Sequence, residues 1–200
     1  MTVNPKTSRI ALLLGAFLSG LVVFLGAIFL VTGLSPSPSA GLPGIGGPFH
    51  LVDQNGKPFS DKDMKGKPYL VFFGYTHCPD VCPTTLFEIS QLFRKLGPDA
   101  GQAGALFVTV DPDRDTQAVM KAYLASFDPH LRGLTGDRTA VEQALKGYRV
   151  YAQKVPLKDG DYTMDHTALV YLVDKDGHFV APFKMQRRAD AEVAELRRYF

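Results

Sequence analysis

The sequence YLVFFGYTHCPDVCPTT, residues 69–85, decides the fold and contains both cysteines of this 200-residue chain. Its first five residues form a continuous apolar run, which predicts a strand that is covered on both faces. A helical pattern from Pro83 to Leu96 follows, since proline is tolerated at the first helical position. Cys78 and Cys82 therefore lie on a strand-to-helix turn, where α/β proteins place their ligand sites.

Strand and helix patterns alternate after this turn. A second buried strand is predicted over residues 105–110, and a helix from about Thr116 to Phe127 follows it, with Asp115 as its N-cap. A third buried strand is predicted over residues 168–173. Because strand-helix-strand crossovers join parallel strands, the core of the sheet is expected to be at least partly parallel.

The remaining elements are shorter. The Asn55-Gly56 dipeptide predicts a leading hairpin, whereas residues 131–136 are too short and glycine-broken to assign. The other predictions are a helix capped by Asp137, a strand over 149–155, a polar loop over 156–163, a hairpin over 168–183 and a closing helix over 190–199. This order of elements predicts an α/β, thioredoxin-like domain.

An apolar segment precedes the domain. Residues 10–34 are uncharged, and their length exceeds the roughly 20 residues that cross a bilayer as a helix. It also exceeds a signal-peptide core of about 7–15 residues, so we expect one uncleaved transmembrane helix; cleavage after Ala40 is the alternative. Residues 35–48, rich in proline and glycine, are predicted to form a linker, and residues 49–200 the folded domain.

Charge predicts the orientation of this anchor. Lys6 and Arg9 precede it, and the next Lys or Arg is Lys57. The positive-inside rule therefore places residues 1–9 in the cytoplasm and the domain in the periplasm or an equivalent non-cytoplasmic space. The twenty other Lys and Arg residues balance the twenty Asp and Glu residues, which argues against nucleic-acid binding.

The cysteine pair has three possible roles: a redox-active dithiol, a soft-metal site, or two structural cysteines. Residues four apart on a helix have Cβ atoms about 5–6 Å apart, whereas a relaxed disulfide needs about 3.5–4.5 Å. Cys82 is expected at or just before the helix start, where unpaired N–H groups lower the pKa of a thiol. Two converging thiolates indicate Cu(I) or zinc.

A metal held by two sulfurs needs a third ligand. His166 is the strongest choice, because it is predicted to lie in the loop that enters the third buried strand, beside the cysteine turn. A lone histidine in a loop is, however, more often an incidental polar residue. The other histidines are weaker choices: His50 and His178 in hairpin strands, His130 in an exposed loop, and His77 as a supporting or alternative ligand that points away from Cys78.

Three aspartates follow the second buried strand, at the same edge of the sheet as the cysteines. Helix capping accounts for Asp115 and, in part, for Asp113. Asp111 is left as a residue that could orient a ligand or adjust the charge of the site.

Three motifs resemble the Sco/SenC family of membrane-anchored copper proteins. They are Gly74-Tyr-Thr-His-Cys-Pro-Asp-Val-Cys-Pro83, Val110-Asp-Pro-Asp-Arg-Asp-Thr116, and Asp165-His-Thr167 ahead of an apolar strand. The resemblance covers essentially the whole chain after the linker and includes the N-terminal anchor. It implies a thioredoxin-like fold with Cys78, Cys82 and His166 as ligands of Cu(I) and Cu(II).

The resemblance also implies a function. The family's role is assembly of the copper centre of cytochrome c oxidase, so the expected partners are the membrane, the oxidase subunit that carries this centre, and another copper chaperone as donor. The first hypothesis is a copper metallochaperone, which is a binding protein rather than an enzyme. The alternative is a thiol-disulfide oxidoreductase in which Cys78 and Cys82 reduce the cysteines of the oxidase site. A zinc site and a peroxidase are more remote hypotheses.

Overall fold

Two units make up the chain, Met1–Ser39 and Ala40–Phe200. The computed structural model describes residues 15–27, 44–158, 160–185 and 189–200. In the first unit, residues 15–27 form helix α1, whose large apolar side chains are exposed. Within the described ranges, no helix combines the length and the apolarity that a membrane crossing requires. The predicted anchor, residues 10–34, extends beyond the described residues at both ends.

The second unit is built on β-strands. They are β1 (His50–Asp53), β2 (Pro58–Ser60), β3 (Tyr69–Gly74), β4 (Gly104–Thr109), β5 (Leu131–Thr135), β6 (Ala152–Pro156), β7 (Tyr162–His166), β8 (Val170–Val173) and β9 (Phe179–Pro182). Seven of these form one sheet in the order β2-β1-β5-β4-β3-β8-β9, and β6 and β7 form a separate hairpin. The leading hairpin of β1 and β2, with its turn at Asn55-Gly56, is confirmed.

Strand β3 lies inside the sheet, and all six of its residues are buried. It pairs in parallel with β4 and antiparallel with β8. Strand β4 also pairs in parallel with β5, which is the unassigned segment 131–136. A Cβ on Gly133 would lie 2.5 Å from Leu124 Cδ1, so the glycine that obscured this strand makes room for the neighbouring helix. The predicted parallel core is therefore confirmed.

The helices of this unit cover the faces of the sheet. They are α2 (Val81–Leu96), α3 (Gln117–Leu124), α4 (Arg138–Gly147) and α5 (Ala189–Leu196), with short 3-10 turns at Asp61–Met64, Gly97–Gln102 and Arg197–Tyr199. Helix α2 buries the predicted apolar face, which includes Leu86, Ile89 and Phe93. The predicted cap of α4 is confirmed, because the Asp137 side chain accepts a hydrogen bond from Ala140 N at 2.8 Å.

Two predicted helix starts are wrong. Helix α2 begins at Val81, so Cys82 lies inside its first turn and Pro83 is the third residue. Proline is tolerated there because the N–H groups of the first turn have no intrahelical acceptor. Helix α3 is capped by Thr116, whose side chain accepts from Val119 N, and not by Asp115. Asp115 is instead completely buried.

One edge of the sheet gathers the segments of chemical interest. The carboxyl ends of the parallel strands β3 and β4 lie at this edge, so the cysteine turn and Asp111 emerge side by side. Strand β8 is antiparallel to β3 and starts at the same edge, with Val170 opposite Phe72. The end of the β6–β7 hairpin leads into β8 and therefore lies beside the cysteine turn. This is the thioredoxin-like α/β arrangement that the sequence predicts.

Candidate metal centre

Cys78, Cys82 and His166 converge at this edge of the sheet. The two sulfurs and one imidazole nitrogen all lie within 4.8 Å of one another. Cys82 Sγ is 3.7 Å from His166 Nε2, and the backbone N–H of Cys82 donates to Cys78 Sγ at 3.4 Å. Both cysteines are free thiols. Three residues from two distant parts of the chain thus point their donor atoms at one another.

Gly74 makes room for the sulfur of Cys82. A Cβ at position 74 would lie 2.7 Å from Cys82 Sγ and 2.8 Å from Phe107 Cε2, which is closer than real Cβ contacts. Strand β3 therefore ends in the one residue type that lets the first turn of α2 pack onto the sheet with its thiol inward. Glycine here serves close packing and not an unusual backbone angle.

The thiol of Cys82 is completely buried, and Cys78 is 9% exposed. Burial raises the pKa of the Cys82 thiol, because an ionised sulfur would lose its hydration. The sequence-based prediction of a lowered pKa is wrong for Cys82. Desolvation outweighs the stabilisation offered by the start of α2. A cation held between the sulfurs would reverse this balance, since metal coordination favours the thiolate.

His166 is the last residue of β7 rather than a loop residue, and Ala152 is opposite it in β6. Its Nδ1 lies 3.2 Å from the carbonyl oxygen of Thr167. A carbonyl can only accept, so Nδ1 carries the hydrogen and the lone pair of Nε2 faces Cys82. Burial lowers the pKa of the imidazole, which favours this neutral form.

Two aromatic rings fix the plane of the His166 imidazole. The ring of Tyr75 meets it edge-on at a centroid distance of 5.7 Å, and the ring of Phe72 meets it at 6.4 Å. The hydroxyl of Tyr75 is hydrogen-bonded to Thr163 Oγ1 at 2.7 Å. Tyr75, from the cysteine turn, thus contacts β7 at two points and orients its terminal histidine.

Asp115 holds the start of the cysteine turn to the end of strand β4 through hydrogen bonds. Its carboxylate accepts from Thr76 Oγ1 and from Thr109 Oγ1, each at 2.6 Å, and from Thr76 N at 3.2 Å. Burial raises the pKa of this carboxyl, although the hydrogen bonds oppose the shift. Sequence reasoning missed this role, because Asp115 also fits the pattern of a helix cap.

Asp111 is buried but contacts none of the three converging residues through the hydrogen bonds of the structure. It accepts from Tyr162 Oη at 2.9 Å and from Arg114 Nε at 2.5 Å. Arg114 Nη1 in turn donates to the carbonyl of Tyr162 at 2.9 Å, and its guanidinium lies 3.8 Å from the centre of the Tyr162 ring. Asp111 thus holds the strand that carries His166. Sequence reasoning singled out Asp111 but missed Arg114 and Tyr162.

The other histidines lie elsewhere. His77 is exposed and its Nδ1 is 3.1 Å from Thr76 Oγ1, so it does not join the converging group. His50 begins β1, the His130 Nδ1 lies 2.7 Å from Asp128 Oδ1, and His178 lies near Asp174. A second group, Asp174, Asp176 and His178, brings ligand atoms together in the turn before β9. The hydrogen bonds of Asp174 to backbone N–H groups explain that turn without a metal.

The converging donors suit a soft metal ion. Cys78 and His166 line a cavity of about 260 Å³, together with residues that include Tyr75, Pro79, Val81 and Met164. Two thiols and a neutral imidazole match Cu(I) and zinc, whereas hard ions prefer oxygen ligands. Imidazole also suits Cu(II). The residues present therefore fit copper in both oxidation states.

A family model described as SCO1/SenC matches residues 38–200. "SCO2-like protein RP587" of Rickettsia prowazekii is 35% identical over 188 residues, which cover 88% of this chain and 91% of that protein. "Protein SCO1 homolog, mitochondrial" of Homo sapiens is 41% identical over 162 residues, which cover 78% of this chain and 53% of the human protein. The chain spans about half the length of this human relative and of the Arabidopsis thaliana SCO1 homolog 1.

Solved structures agree with this result. Bradyrhizobium japonicum ScoI with copper bound is 62% identical, with a TM-score of 0.76 over 78% of this chain and 99% of that one. Yeast Sco1 with copper bound is 38% identical, with a TM-score of 0.71 over 78% of this chain and 88% of that one. Both of these proteins were solved with copper bound.

Proposed function

The chain belongs to the SCO1/SenC family, and on that premise we propose that it is a copper metallochaperone for assembly of the copper centre of cytochrome c oxidase. The observation that carries this proposal is the convergence of three soft or borderline donor atoms within 4.8 Å, at the end of a buried strand. The copper bound to ScoI, which is 62% identical, supports copper as the cargo.

Each residue of the site has a distinct role in this proposal. Cys78 and Cys82 supply thiolates, which favour Cu(I). His166 supplies the neutral Nε2, kept free by the hydrogen bond of Nδ1 to the Thr167 carbonyl. Thr167 therefore acts on the tautomer of the ligand, and Asp111 acts on the position of β7. His77 has no ligand role.

The state of the thiols favours a carrier over a reductase. A thiolate is the attacking species in disulfide exchange, and its reactivity needs access and a low pKa. Cys82 is completely buried and Cys78 is only 9% exposed, so neither sulfur is readily reached by the disulfide of a target protein. His166, moreover, is required for metal binding but has no part in dithiol exchange. The carrier function therefore accounts for all three residues.

The first unit is proposed to hold the domain at a membrane. Residues 10–34 would form a single transmembrane helix, with residues 1–9 in the cytoplasm and residues 49–200 in the periplasm or an equivalent non-cytoplasmic space. Residues 35–48 would be the linker, although Gly46 N donates to Gly147 O at 2.9 Å and so docks the end of this segment onto the domain. Such an anchor would keep the site close to a membrane-embedded oxidase subunit and to a copper-donating chaperone.

A transfer experiment distinguishes the two functions. The full chain, purified in detergent and loaded with Cu(I), is mixed with the copper-site domain of an oxidase subunit whose two cysteines are reduced. In ligand exchange the copper ion moves from this chain to the acceptor and no electrons are transferred. The number of reduced cysteines in each protein therefore stays the same. In reductase chemistry, the cysteines of the acceptor start as a disulfide, gain two electrons, and leave Cys78 and Cys82 oxidised.

The proposal expects copper to appear on the reduced acceptor while the thiols of both proteins remain reduced. The control is the His77→Ala variant, which should transfer as the wild type does. A chain that bound no copper but reduced the disulfide of the oxidised acceptor would overturn the carrier function and establish the reductase.

A further inference from the structure

Met164 lies beside the converging donors in a position that the three motifs do not include. It is on β7, two residues before His166, so the two side chains share a face of the strand. It is 9% exposed and lines the same cavity as Cys78 and His166. It also lines a second cavity of about 140 Å³, beside Asp111. The Met164 side chain therefore separates two open spaces at the edge of the metal site.

The chemistry of methionine suits this position. A thioether is a soft, uncharged ligand that selects Cu(I), and it has no proton to lose before it binds. The side chain is unbranched and has three rotatable bonds, so its sulfur can adapt to a nearby ion. The exposure of the side chains alternates along this part of β7: Asp165 is exposed, whereas Met164 is buried and His166 is half-buried. The same local structure that aims His166 at Cys82 thus brings a second soft donor to the cavity.

We propose that Met164 is a fourth, thioether ligand of copper in this protein, beside Cys78, Cys82 and His166. This inference rests on the proposed copper-carrier function and deepens it. A weak thioether contact stabilises Cu(I) more than Cu(II), as the axial methionine does in blue-copper sites. It also gives the ion a second neutral ligand, beside the His166 imidazole, whose loss needs no proton, which suits a site that must release its cargo.

Replacement by leucine removes the sulfur and keeps the volume. Such swaps in a core usually cost less than about 1.5 kcal/mol of folding free energy, so Met164→Leu should fold. We expect its Cu(I) affinity to fall by about tenfold, the lower end of what supporting groups contribute to metal sites. Its Cu(II) affinity should fall less. The matched control is Met120→Leu, on a completely buried methionine of α3 that does not line this cavity.

Selenium provides the direct test. The full chain is produced with selenomethionine in place of methionine, loaded with Cu(I), and measured by X-ray absorption at the selenium edge. We expect a copper neighbour of selenium in the wild type and in Met120→Leu, and none in Met164→Leu. Competition titrations with a chromophoric Cu(I) chelator on the same three proteins give the affinities.

The outcomes separate this inference from the proposed function. If the wild type binds Cu(I) but shows no copper neighbour of selenium, and Met164→Leu binds as the wild type does, Met164 only fills space and the inference falls alone. If the wild type binds no copper, the inference and the carrier function fall together. A selenium–copper signal that disappears only in Met164→Leu supports the inference.

Discussion

Gly74 leaves no room for a larger residue beside the site. An added methyl group would meet Cys82 Sγ and Phe107 Cε2 below 3.0 Å. Overpacking of this kind typically costs about 1–3 kcal/mol. We therefore expect Gly74→Ala to lower the free energy of unfolding by about that amount and to weaken Cu(I) binding, since Cys82 must move. Urea unfolding and a chelator competition titration measure the two effects.

The matched control for Gly74 is Gly101→Ala, because a Cβ at position 101 meets nothing within 4 Å. That variant should unfold and bind copper as the wild type does. Equal behaviour of the two alanine variants would contradict the role given to Gly74.

Asp115 provides a prediction for pH. Burial raises the pKa of its carboxyl above the ordinary value of 3.8. The folded state therefore binds this proton more tightly than the unfolded state, so the contribution of Asp115 to stability is largest at low pH. It declines as the pH rises from about 3.8 through the raised pKa.

The Asp115→Asn variant isolates this effect, because an amide does not titrate. We compare the free energies of unfolding of the two proteins. The excess of the wild-type value over that of the variant should fall as the pH is raised from about 4 to 7. Urea unfolding at several pH values gives the difference. A difference that rises over this range would contradict the buried, ionisable carboxyl described above.

Single residues also show how far the sequence can predict the site. Cys78, Cys82 and His166 could be chosen because their chemistry is specific and their elements meet at one sheet edge. The raised pKa of Cys82 could not be predicted, since it depends on how deeply the sulfur is buried. The role of Asp115 in holding the cysteine turn could not be predicted either, because an aspartate at this position fits a helix cap equally well.

Among the secondary-structure elements, the β6–β7 hairpin decides where His166 lies. Tyr162 holds it to the sheet through hydrogen bonds to Asp111 and stacking with Arg114. Tyr162→Phe removes the bonds to a charged acceptor, which should lower stability by about 1–3 kcal/mol. We expect faster amide hydrogen exchange over residues 152–166 and weaker copper binding, with the exchange of β3 and β4 much less affected.

Tyr151→Phe is the control for this hairpin prediction, because among the described residues the hydroxyl of Tyr151 bonds locally, to Gln153. Amide hydrogen exchange over β7 in Tyr151→Phe should match that of the wild type. If Tyr162→Phe left the exchange of residues 152–166 unchanged, the hydrogen bonds from the Tyr162 hydroxyl to Asp111 would have no part in positioning His166.

The same hairpin is predicted only in part from the sequence. The strand expected over residues 149–155 is confirmed as β6, Ala152–Pro156, although four of its five residues are exposed. The sequence does not predict strand β7: Tyr162 and Thr163 fall in the predicted polar loop, and His166 in the loop that enters β8. Long-range contacts to Tyr75, Asp111 and Arg114 hold β7 in place, and local patterns do not encode them.

For the whole molecule, the division into two units predicts separable behaviour. We expect the full chain to fractionate with membranes and to resist extraction by high salt, because an apolar helix is not held by charge. A variant without residues 1–43 should be recovered in the soluble fraction, with copper binding intact. Release of the full chain by salt alone would contradict the proposed anchor.

The central claim concerns the whole site: two cysteines and one histidine, some eighty residues apart, together hold one copper ion. The most direct measurement is a Cu(I) competition titration of the full chain beside His166→Ala and His77→Ala. We expect one copper per chain in the wild type and in His77→Ala. His166→Ala should lose more than the roughly 10–100-fold in affinity that the loss of a supporting group costs. Equal affinity of His166→Ala and the wild type would contradict the account.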